Sequence, residues 1–247
     1  MAETDTNTPI ISQLSIADEK PYIEFLQKAY KDQFNGYRFD SIDKIRGFWH
    51  WEYMGNSVEV AGKPLVWVAL VEGEIVGQLC VMPVPVQIKG RSYVGGWYQD
   101  FMVLPGFRGK KIGQKLVSEA TKGARDSIDI SMAVIVTERS RALFRMHGLR
   151  EIGTFKKNVS VVGLTDILLS IKRPKAARAI EIQEVTALDA DFDSLWKDMA
   201  NRFDCLIKRD SQVLRWRFKP QLYWSYRVFL AKEGGAPKGY IVVKIGA

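Results

Sequence analysis

Three consecutive extended segments in the first half of the chain constrain its fold most. They are rich in valine, isoleucine and aromatic residues, as strands are. They cover residues 64–74, 74–90 and 92–105. The first two meet at Glu72-Gly73, which predicts a hairpin turn. With the helical patterns on either side, the order over residues 9–163 is β-α-α-β-β-β-α-β-α-β-β. This order predicts an α/β fold with a mixed sheet and helices packed on it.

Local signals set the ends of several predicted elements. Ser41 is a candidate N-cap for an aromatic-rich helix that starts there. Ser140 is a candidate cap for a short helix that Gly148 would end. The continuously apolar run at 130–137 is typical of a buried central strand. Residues 150–163 are predicted to form two closing strands.

The pattern starts again in the last third of the chain. A tryptophan followed by a glycine-bearing hairpin occurs twice, with Trp51 matching Trp216 and Gly77 matching Gly239. We interpret this as a weak internal repeat of a whole domain. The alternative is a chance similarity between two aromatic helix-plus-hairpin segments. The predicted units are a disordered tail at 1–8, a first domain at 9–163, a linker at 164–179 and a partial second domain at 180–247.

The second copy stops after its hairpin, which predicts an exposed strand edge. Three arrangements would account for that edge. The chain is a fragment of a longer protein, or its second half pairs with the first domain, or it pairs with another chain, as in a homodimer. All three stay open at the level of the sequence.

The formal net charge of +8 and the pI of about 9.4 favour anionic partners. The lysines and arginines form only short local clusters, and no zinc-finger, RNP-type or KH signature is present. Nucleic acid is therefore not a favoured partner, and part of the charge serves solubility alone.

Other features of the composition narrow the class of protein. No apolar run is long enough to span a bilayer, and the N-terminus lacks the regions of an export signal. Cys80 and Cys205 lack paired spacing, which fits a reduced compartment. We therefore expect a cytoplasmic protein without a membrane partner. Two histidines and two cysteines at these separations predict no metal site.

A basic turn with glycines joins the third extended segment to the next helix. The stretch LPGFRGKKIGQKL, residues 104–116, holds Arg108, Lys110 and Lys111 between glycines. A helix start presents unpaired N–H groups and the positive end of the helix dipole, and glycine lets a ligand approach the backbone. The stretch therefore predicts a phosphate or pyrophosphate site. It is neither a Walker A loop nor a dinucleotide fingerprint.

The pattern V-x-P-x-x-R-G-x-x-I-G-x-x-L, residues 103–116, resembles the acyl-CoA loop of the GCN5-related N-acetyltransferases. The order of elements over 9–163 resembles theirs too, and the partial second copy resembles, more loosely, the start of another such domain in tandem members. The resemblance implies a mostly antiparallel central sheet with helices on both faces. It also implies acetyl-CoA as cosubstrate and a small-molecule or protein amine as acceptor.

In that family the loop amides wrap the pyrophosphate of coenzyme A, and the preceding strand lies along the pantetheine. The pyrophosphate residues implied here are Arg108, Gly109, Lys110, Lys111, Ile112 and Gly113. The pantetheine residues implied here are Met102, Val103 and Leu104.

Three positions depart from the family pattern. Lys111 stands where a glycine is expected and would carry strain if that position needs a positive φ. Thr137 stands where the family often has asparagine, and Phe144 stands where it often has the tyrosine that protonates the leaving thiolate. Phenylalanine cannot donate a proton, so this role falls to Tyr98, to water or to no group.

An amine must lose a proton before or during its attack on a thioester. Family members often use a carboxylate on the strand before the loop, which implies Asp100 as the base. Its neighbour Gln99 points to the other face of an ideal strand, so one of the two faces the substrate. Asp100 is equally consistent with a structural hydrogen-bond acceptor, and Glu138 is a further candidate base.

The sequence thus predicts an N-acyltransferase that moves an acetyl group from acetyl-CoA to an amine by direct attack in a ternary complex. Asp100 and Tyr98 are its predicted catalytic residues. The alternative is a degenerate domain that binds acyl-CoA without turnover, which Lys111, Thr137 and Phe144 favour. A basic module that interacts with nucleic acid is a third and weaker alternative.

Overall fold

The structure is a computed structural model that describes residues 8–34, 39, 41–58, 64–134, 137–154, 180–218 and 225–245. Its strands are β1 (Ile10–Gln13), β2 (Val66–Val71), β3 (Glu74–Ile88), β4 (Arg91–Val103), β5 (Ile130–Ala133), β6 (Ile180–Val185), β7 (Cys205–Ile207), β8 (Ser225–Glu233) and β9 (Ala236–Ile245). Its helices are α1 (Glu19–Phe34), α2 (Ile42–Trp49), α3 (Ile112–Gly123), α4 (Glu138–Met146), α5 (Ala190–Ala200) and α6 (Ser211–Arg217). The predicted tail up to residue 7, the predicted linker and most of the two predicted closing strands lie outside the described residues.

The first sheet runs in the order β1-β2-β3-β4-β5. Its first four strands pair antiparallel, and β5 lies parallel to β4. The predicted mixed, mostly antiparallel sheet is therefore confirmed. The turn between β2 and β3 falls at Glu72-Gly73, where both residues have positive φ (52° and 82°). Two successive positive φ angles are the mark of a type I′ hairpin turn.

Helices cover both faces of this sheet because alternate residues of its strands present apolar side chains to opposite faces. On β2, Val66 and Val68 pack in one cluster with α1 and α2. Trp67 and Ala69 pack in another cluster with α3 and α4. A sheet covered on both faces has nearly continuous apolar residues along its inner strands, as β2 has throughout and as β3 has apart from Glu74, Gln78 and Gln87.

The second unit is a three-stranded antiparallel sheet in the order β6-β8-β9, with α5 packed on it through Phe192 and Leu195. The short strand β7, which the sequence does not predict, pairs antiparallel with residues 86–88 of β3. It takes the edge of β3 that β2 leaves open. The second half therefore pairs with the first domain, through β7 rather than through β9.

The two hairpins share a detail that supports the predicted repeat. Ala69 pairs with Gly77 in the first, and Ala231 pairs with Gly239 in the second. The register of the ladder shifts directly after Ala69 and directly after Ala231. The repeat of a whole domain stays a prediction, but the matched glycines lie at equivalent points of the two hairpins.

The two tryptophans that the pattern matches contact each other where the units meet. Trp51 Nε1 donates to the Trp216 carbonyl oxygen at 2.8 Å, and Trp216 Nε1 donates to the Trp51 carbonyl oxygen at 3.1 Å. Their ring centres lie 5.4 Å apart with the planes at 23°. This reciprocal pair fixes α6 against the turn that follows α2.

Helix ends follow the local sequence signals with one exception. The Ser41 hydroxyl accepts from the Lys44 N–H at 3.3 Å and so caps α2 as predicted. Gly148, with φ 87°, follows the end of α4 as predicted. The predicted cap at Ser140 is wrong, because α4 begins earlier and the Thr137 hydroxyl accepts from the Ser140 N–H at 3.2 Å.

The predicted strand at 130–137 is confirmed in its first half, where β5 is half-buried and pairs with β4. Its central place in the sheet stays a prediction, because residues 135–136 and 155–179 lie outside the described residues. Ile130 and Met132 pack beside Met82 and Val84 of β3. They reach β3 because Gly95 of the intervening strand has no side chain, and a Cβ there would lie 2.5 Å from the Met132 Cε. The apolar character of the run therefore comes from packing across a glycine.

We expect Gly123→Ala to destabilise the protein although alanine favours helix over glycine. A Cβ at this position of α3 would lie 2.6 Å from Cζ2 of the buried Trp67 ring, which cannot move aside. Overpacking of this kind costs about 1–3 kcal/mol of unfolding free energy, measurable by urea denaturation. Gly239→Ala is the control, since nothing lies within 4 Å of its Cβ. Equal stability of the two variants would contradict the packing of α3 on β2.

Candidate active site

A β-bulge in β4 at Asp100 organises the site. Gln78 of β3 pairs with Met102, whereas Cys80 pairs with Gln99, so one residue of β3 lies opposite two residues of β4. Asp100 has φ 48°, in the left-handed region that aspartate tolerates better than most residues do. A bulge re-aims the side chains around it and leaves its extra residue out of the ladder.

Because of this bulge, Gln99 and Asp100 both reach Tyr53. The Tyr53 hydroxyl donates to Asp100 Oδ2 at 3.0 Å and accepts from Gln99 Nε2 at 3.1 Å. The expectation that only one of the two neighbours faces this side is therefore wrong, since it assumed regular alternation along the strand. Both side chains are half-buried, and Tyr53 packs with the α1–α2 cluster.

Tyr53 stays protonated near neutral pH. Burial raises the pKa of its phenol well above the usual range, and the negative charge of Asp100 raises it further. Burial, with the same carboxylate, also raises the pKa of the Cys80 thiol well above its usual range. The raised pKa disfavours the thiolate that Cys80 would need as a nucleophile, while Tyr53 is a hydrogen-bond donor to Asp100.

Gln78 ties the bulge to the neighbouring strand. Its side chain is fully buried, and its Nε2 donates to the Asp100 carbonyl oxygen at 3.0 Å. The Oε1 atom of the same amide has no hydrogen-bond partner among the described residues. A buried side-chain amide normally has hydrogen-bond partners, and the Nε2 of Gln78 has the Asp100 carbonyl oxygen as its partner. We infer that Gln78 holds the backbone of Asp100 in place.

β4 and β5 separate directly before the bulge. Their parallel pairing ends at Tyr98 and Ala133, whereas β4 continues to Val103. No strand of the described residues pairs with the β5 side of β4 beyond Tyr98. The backbone of residues 99–103 can therefore hydrogen-bond an extended ligand there, as a sheet edge does.

The basic turn lies directly after this open edge. Its first residues, Pro105–Phe107, form a short 3₁₀ turn, and Gly109 has φ 83°. Arg108 Nε donates to the Val103 carbonyl oxygen at 2.8 Å. Lys110 Nζ lies 5.2 Å from the centre of the Phe107 ring. Arg108, Lys110 and Lys111 are all exposed, so the turn presents three cations to solvent.

The helix that follows the turn starts without a side-chain cap. Ser41, Thr137, Asp189 and Asp210 cap α2, α4, α5 and α6 with side-chain oxygens. Lys111 occupies the equivalent place before α3 and makes no such bond. An anion would satisfy the first N–H groups of α3 and is favoured by the helix dipole and the cations.

Lys111 and Gly113 both shape the basic turn, the first through a strained backbone conformation and the second through a close contact. Lys111 has φ 59° and ψ 11°, so it does carry the strain that a left-handed position imposes on a lysine. Gly113 allows the first turn of α3 to approach β4, because a Cβ there would lie 2.9 Å from Cζ of Phe101. The turn is therefore held close to the open edge of β4.

The side chains of two predicted cofactor residues lie in the core. Met102 and Ile112 are each 2% exposed, so only their backbones can contact a ligand. Val103 and Leu104 are half-buried at the end of β4. The structure thus brings the predicted pantetheine and pyrophosphate residues together at one end of β4, with backbone groups as the available contacts.

The sequence matches the model of the acetyltransferase (GNAT) family over residues 22–149, about half of the chain. The matched region contains the bulge, the open edge of β4 and the basic turn. The chain belongs to the GNAT family. None of the curated proteins matches the sequence.

Solved structures show the same fold at low sequence identity. A GCN5-related N-acetyltransferase from Anabaena variabilis has a TM-score of 0.64 at 17% identity, over 96% of this chain and 54% of its own. A probable N-acyltransferase from Enterococcus faecalis has a TM-score of 0.63 at 13% identity, over 97% and 56%. N-myristoyltransferase from Saccharomyces cerevisiae, solved with myristoyl-CoA, has a TM-score of 0.54 at 14% identity, over 95% and 56%. The chain therefore spans little more than half the length of each.

Within this GNAT fold, Tyr98 lies on the opposite face of the sheet from Tyr53. It is 3% exposed and packs edge to face on Phe144, with ring centres 5.5 Å apart. Burial raises the pKa of its phenol, and the Ser131 hydroxyl opposes part of that rise. The structure therefore does not bring Tyr98 and Asp100 together, although Tyr98 lies beside the position where GNAT proteins often have a tyrosine.

Other candidate residues are accounted for by contacts elsewhere. Glu138 is exposed and pairs with Arg141 at 2.7 Å, and His50 Nε2 lies 3.3 Å from Glu19. Over the described ranges, no group of His, Cys, Asp and Glu is placed to hold a metal ion. No helix in that part of the chain has the length and apolarity to cross a membrane.

The catalytic residues predicted from the sequence include neither Tyr53 nor Gln78. A signal for Gln78 was present, because it is a polar residue inside the otherwise apolar strand β3. Such a residue needs a buried hydrogen-bond partner. No local signal reports that Tyr53 would meet Asp100, since the two are far apart in sequence.

We expect Lys111→Gly to stabilise the free protein by about 0.5–1 kcal/mol. It relieves a left-handed conformation that costs a non-glycine residue roughly 1–2 kcal/mol, against the extra backbone entropy of glycine, about 0.5–1 kcal/mol. Lys110→Gly is the matched control, since Lys110 is not among the positive-φ residues and should lose stability. Urea denaturation measures both. A loss of stability in Lys111→Gly would show that the lysine side chain contributes more than the strain costs.

Proposed function

We propose that this GNAT protein transfers an acetyl group from acetyl-CoA to an amine by direct attack in a ternary complex. The convergence of Gln99 and Asp100 on Tyr53 is the observation that carries the proposal. It puts a carboxylate at the point where β4 and β5 separate. The basic turn and the uncapped start of α3 support the proposed binding of acetyl-CoA.

The chain's own groups fit the charge of coenzyme A. Arg108, Lys110 and Lys111 are exposed beside the uncapped N–H groups of α3, so they suit the doubly negative pyrophosphate. The backbone of residues 99–103 along the open edge suits the amide-bearing pantetheine. On this proposal the thioester lies near the bulge, where the ladder is interrupted.

The transfer step then needs one base and one acid. The amine nitrogen forms a bond to the thioester carbon, and the carbon–sulfur bond breaks to release the thiolate. One proton leaves the amine for Asp100, directly or through water, and the thiolate takes one from water, because Tyr98 is buried on the opposite face of the sheet. Backbone N–H groups at the bulge polarise the carbonyl. Tyr53 is a positioning residue, because its hydrogen bonds hold Asp100 and Gln99.

A second candidate function is binding of acyl-CoA without turnover. Buried Phe144 favours it, because it fills the place of the usual acid without a hydroxyl group. Binding of acetyl-CoA with no acetylation of any amine would distinguish this function from transfer.

We expect acetyl-CoA to raise the melting temperature and Arg108→Glu to remove most of that rise. Charge reversal beside the pyrophosphate replaces attraction by repulsion. Since ligand stabilisation follows RT ln(1 + [L]/Kd), a tenfold loss of affinity removes about 1.4 kcal/mol at saturating ligand. Arg91→Glu is the control, because Arg91 is an exposed residue at the opposite end of the same strand. A full shift in Arg108→Glu would place the cofactor elsewhere.

The base is tested by Asp100→Asn, which keeps a residue that tolerates the left-handed backbone. We expect kcat/KM to fall by roughly 10²–10⁴, with acetyl-CoA affinity unchanged. The loss should shrink at high pH, where more of the amine is already deprotonated. The assay is thiol release from acetyl-CoA with a panel of primary amines, followed across pH for each amine that is used.

A structural Asp100 gives a different result. The asparagine variant would then lose about 1–3 kcal/mol of stability and bind acetyl-CoA more weakly, with an unshifted pH profile. Full activity would exclude Asp100 as the base and direct attention to Tyr98, Gln99 and Glu138. Tyr53→Phe distinguishes the positioning of Asp100 by Tyr53 from proton transfer by Asp100 itself. This variant should lower kcat while the rate still depends on pH.

A further inference from the structure

A cavity of about 550 Å³ lies between the two units. Strands β3 and β4 form one side, through residues such as Met82, Val84 and Trp97. Residues 207–218 and strand β9 provide the other side. A volume in this range suits a small molecule or a part of one. The cavity depends on both units, so the first unit alone does not form it.

The cavity connects to the proposed catalytic group through Gln99. This residue lines the cavity, and its Nε2 donates to the Tyr53 hydroxyl at 3.1 Å. Tyr53 in turn donates to Asp100 Oδ2 at 3.0 Å. A molecule in the cavity therefore touches a side chain that is one residue from Asp100 along β4.

The lining combines aromatic rings with positive charge. Trp97, Trp216, Phe218 and Tyr240 supply rings, and the charged residues of the lining are Lys208, Arg209 and Arg217. No aspartate or glutamate is among the described residues that line it. The body of the cavity is therefore apolar and aromatic, and the charge of its lining is positive.

Two of the three cations form no salt bridge among the described residues, and Arg209 lies at the Tyr240 hydroxyl, where it opposes part of the rise that burial causes in the pKa of that phenol. Lys208 Nζ pairs with Asp210 at 2.5 Å. Over the described residues, neither Arg209 nor Arg217 has a carboxylate within 4 Å. The Arg217 guanidinium lies 5.4 Å from the centre of the Trp51 ring, which restrains it. Both arginines are exposed, so they flank the solvent side of the cavity.

We propose that this cavity binds the part of the acceptor that does not react, and that the acceptor is a small amine with an aromatic or apolar body and a distant anionic group. The inference rests on the proposed acetyl transfer. The amine lies toward Asp100, beyond Gln99, and the carboxylate or phosphate lies toward Arg209 and Arg217. The Asp100 carboxylate attracts the amine end of such a molecule and the two arginines attract its anionic end, so the molecule binds in one orientation. Charge-assisted hydrogen bonds of this kind are the stronger class.

The test compares pairs of amines with the same body, of which one carries the distant anionic group and the other a neutral group in its place. The first pair is 4-(2-aminoethyl)benzoate and 4-(2-aminoethyl)benzamide, and the second is tyramine phosphate and tyramine. We expect the wild type to use at least one anionic member with a kcat/KM about 10–100-fold higher than its neutral partner, the range of one or two such hydrogen bonds. The double variant Arg209→Gln/Arg217→Gln should lose most of this preference, measured as the ratio of the two kcat/KM values within each pair. Arg202→Gln is the control, because Arg202 is exposed and does not line the cavity.

Equal use of both members in both pairs overturns the proposal, and so does a preference that survives in the double variant. If no amine is acetylated, calorimetry with coenzyme A present measures binding of the same pairs. A preference for the anion that the double variant loses then supports the acceptor site while transfer itself fails. No preference in binding overturns the site. Arg209→Gln alone carries the test if the double variant melts early, since Arg217 also contacts Trp51.

Discussion

The hydrogen bond from the buried Gln78 amide to the Asp100 carbonyl oxygen is the constraint on which the site depends. It accompanies a bulge that leaves Asp100 outside the ladder, and the bulge turns the side chains of Gln99 and Asp100 to the same face. Regular alternation would instead direct one of them toward the cluster of α3 and α4. The carboxylate can therefore meet Tyr53, whose raised pKa keeps its hydroxyl protonated as the donor near neutral pH.

A second constraint comes from the reciprocal hydrogen bonds of Trp51 and Trp216. They join the turn after α2 to α6, and that turn also carries Tyr53. Strand β7 adds a backbone ladder to β3 at Val86–Ile88. Movement of the second unit would therefore displace residues both at the proposed base and at the cavity between the units, so the second unit shapes the proposed acceptor site.

Much of the first sheet could be predicted from the sequence, because its signals are local. The Glu72-Gly73 turn, the Ser41 cap and the extended segments of β2, β3 and β4 are each indicated by neighbouring residues alone. The bulge could not be predicted, since it requires the register of β3 against β4 and a partner for Gln78 across the sheet. The contact of Ile130 and Met132 with β3 could not be predicted for a related reason: it is made across Gly95, which no pattern within the run at 130–137 reports. The short strand β7 forms only because β2 ends before β3 does, which the residues of β7 do not indicate.

The turn before α3 has two energetic costs in the free chain, the backbone strain at Lys111 and the repulsion among three cations. An anion would reduce the second of these costs. Lys111 takes a left-handed conformation at roughly 1–2 kcal/mol, and it stands with Arg108 and Lys110 beside the positive end of an uncapped helix. A glycine at 111 would remove the backbone strain but also one of the three cations. A pyrophosphate bound there would offset the repulsion among the cations and satisfy the N–H groups of α3. Lys111 in place of the family's glycine is therefore better explained as an added positive charge at the proposed pyrophosphate site than as loss of a functional residue. This explanation supports binding of acyl-CoA under either proposed function.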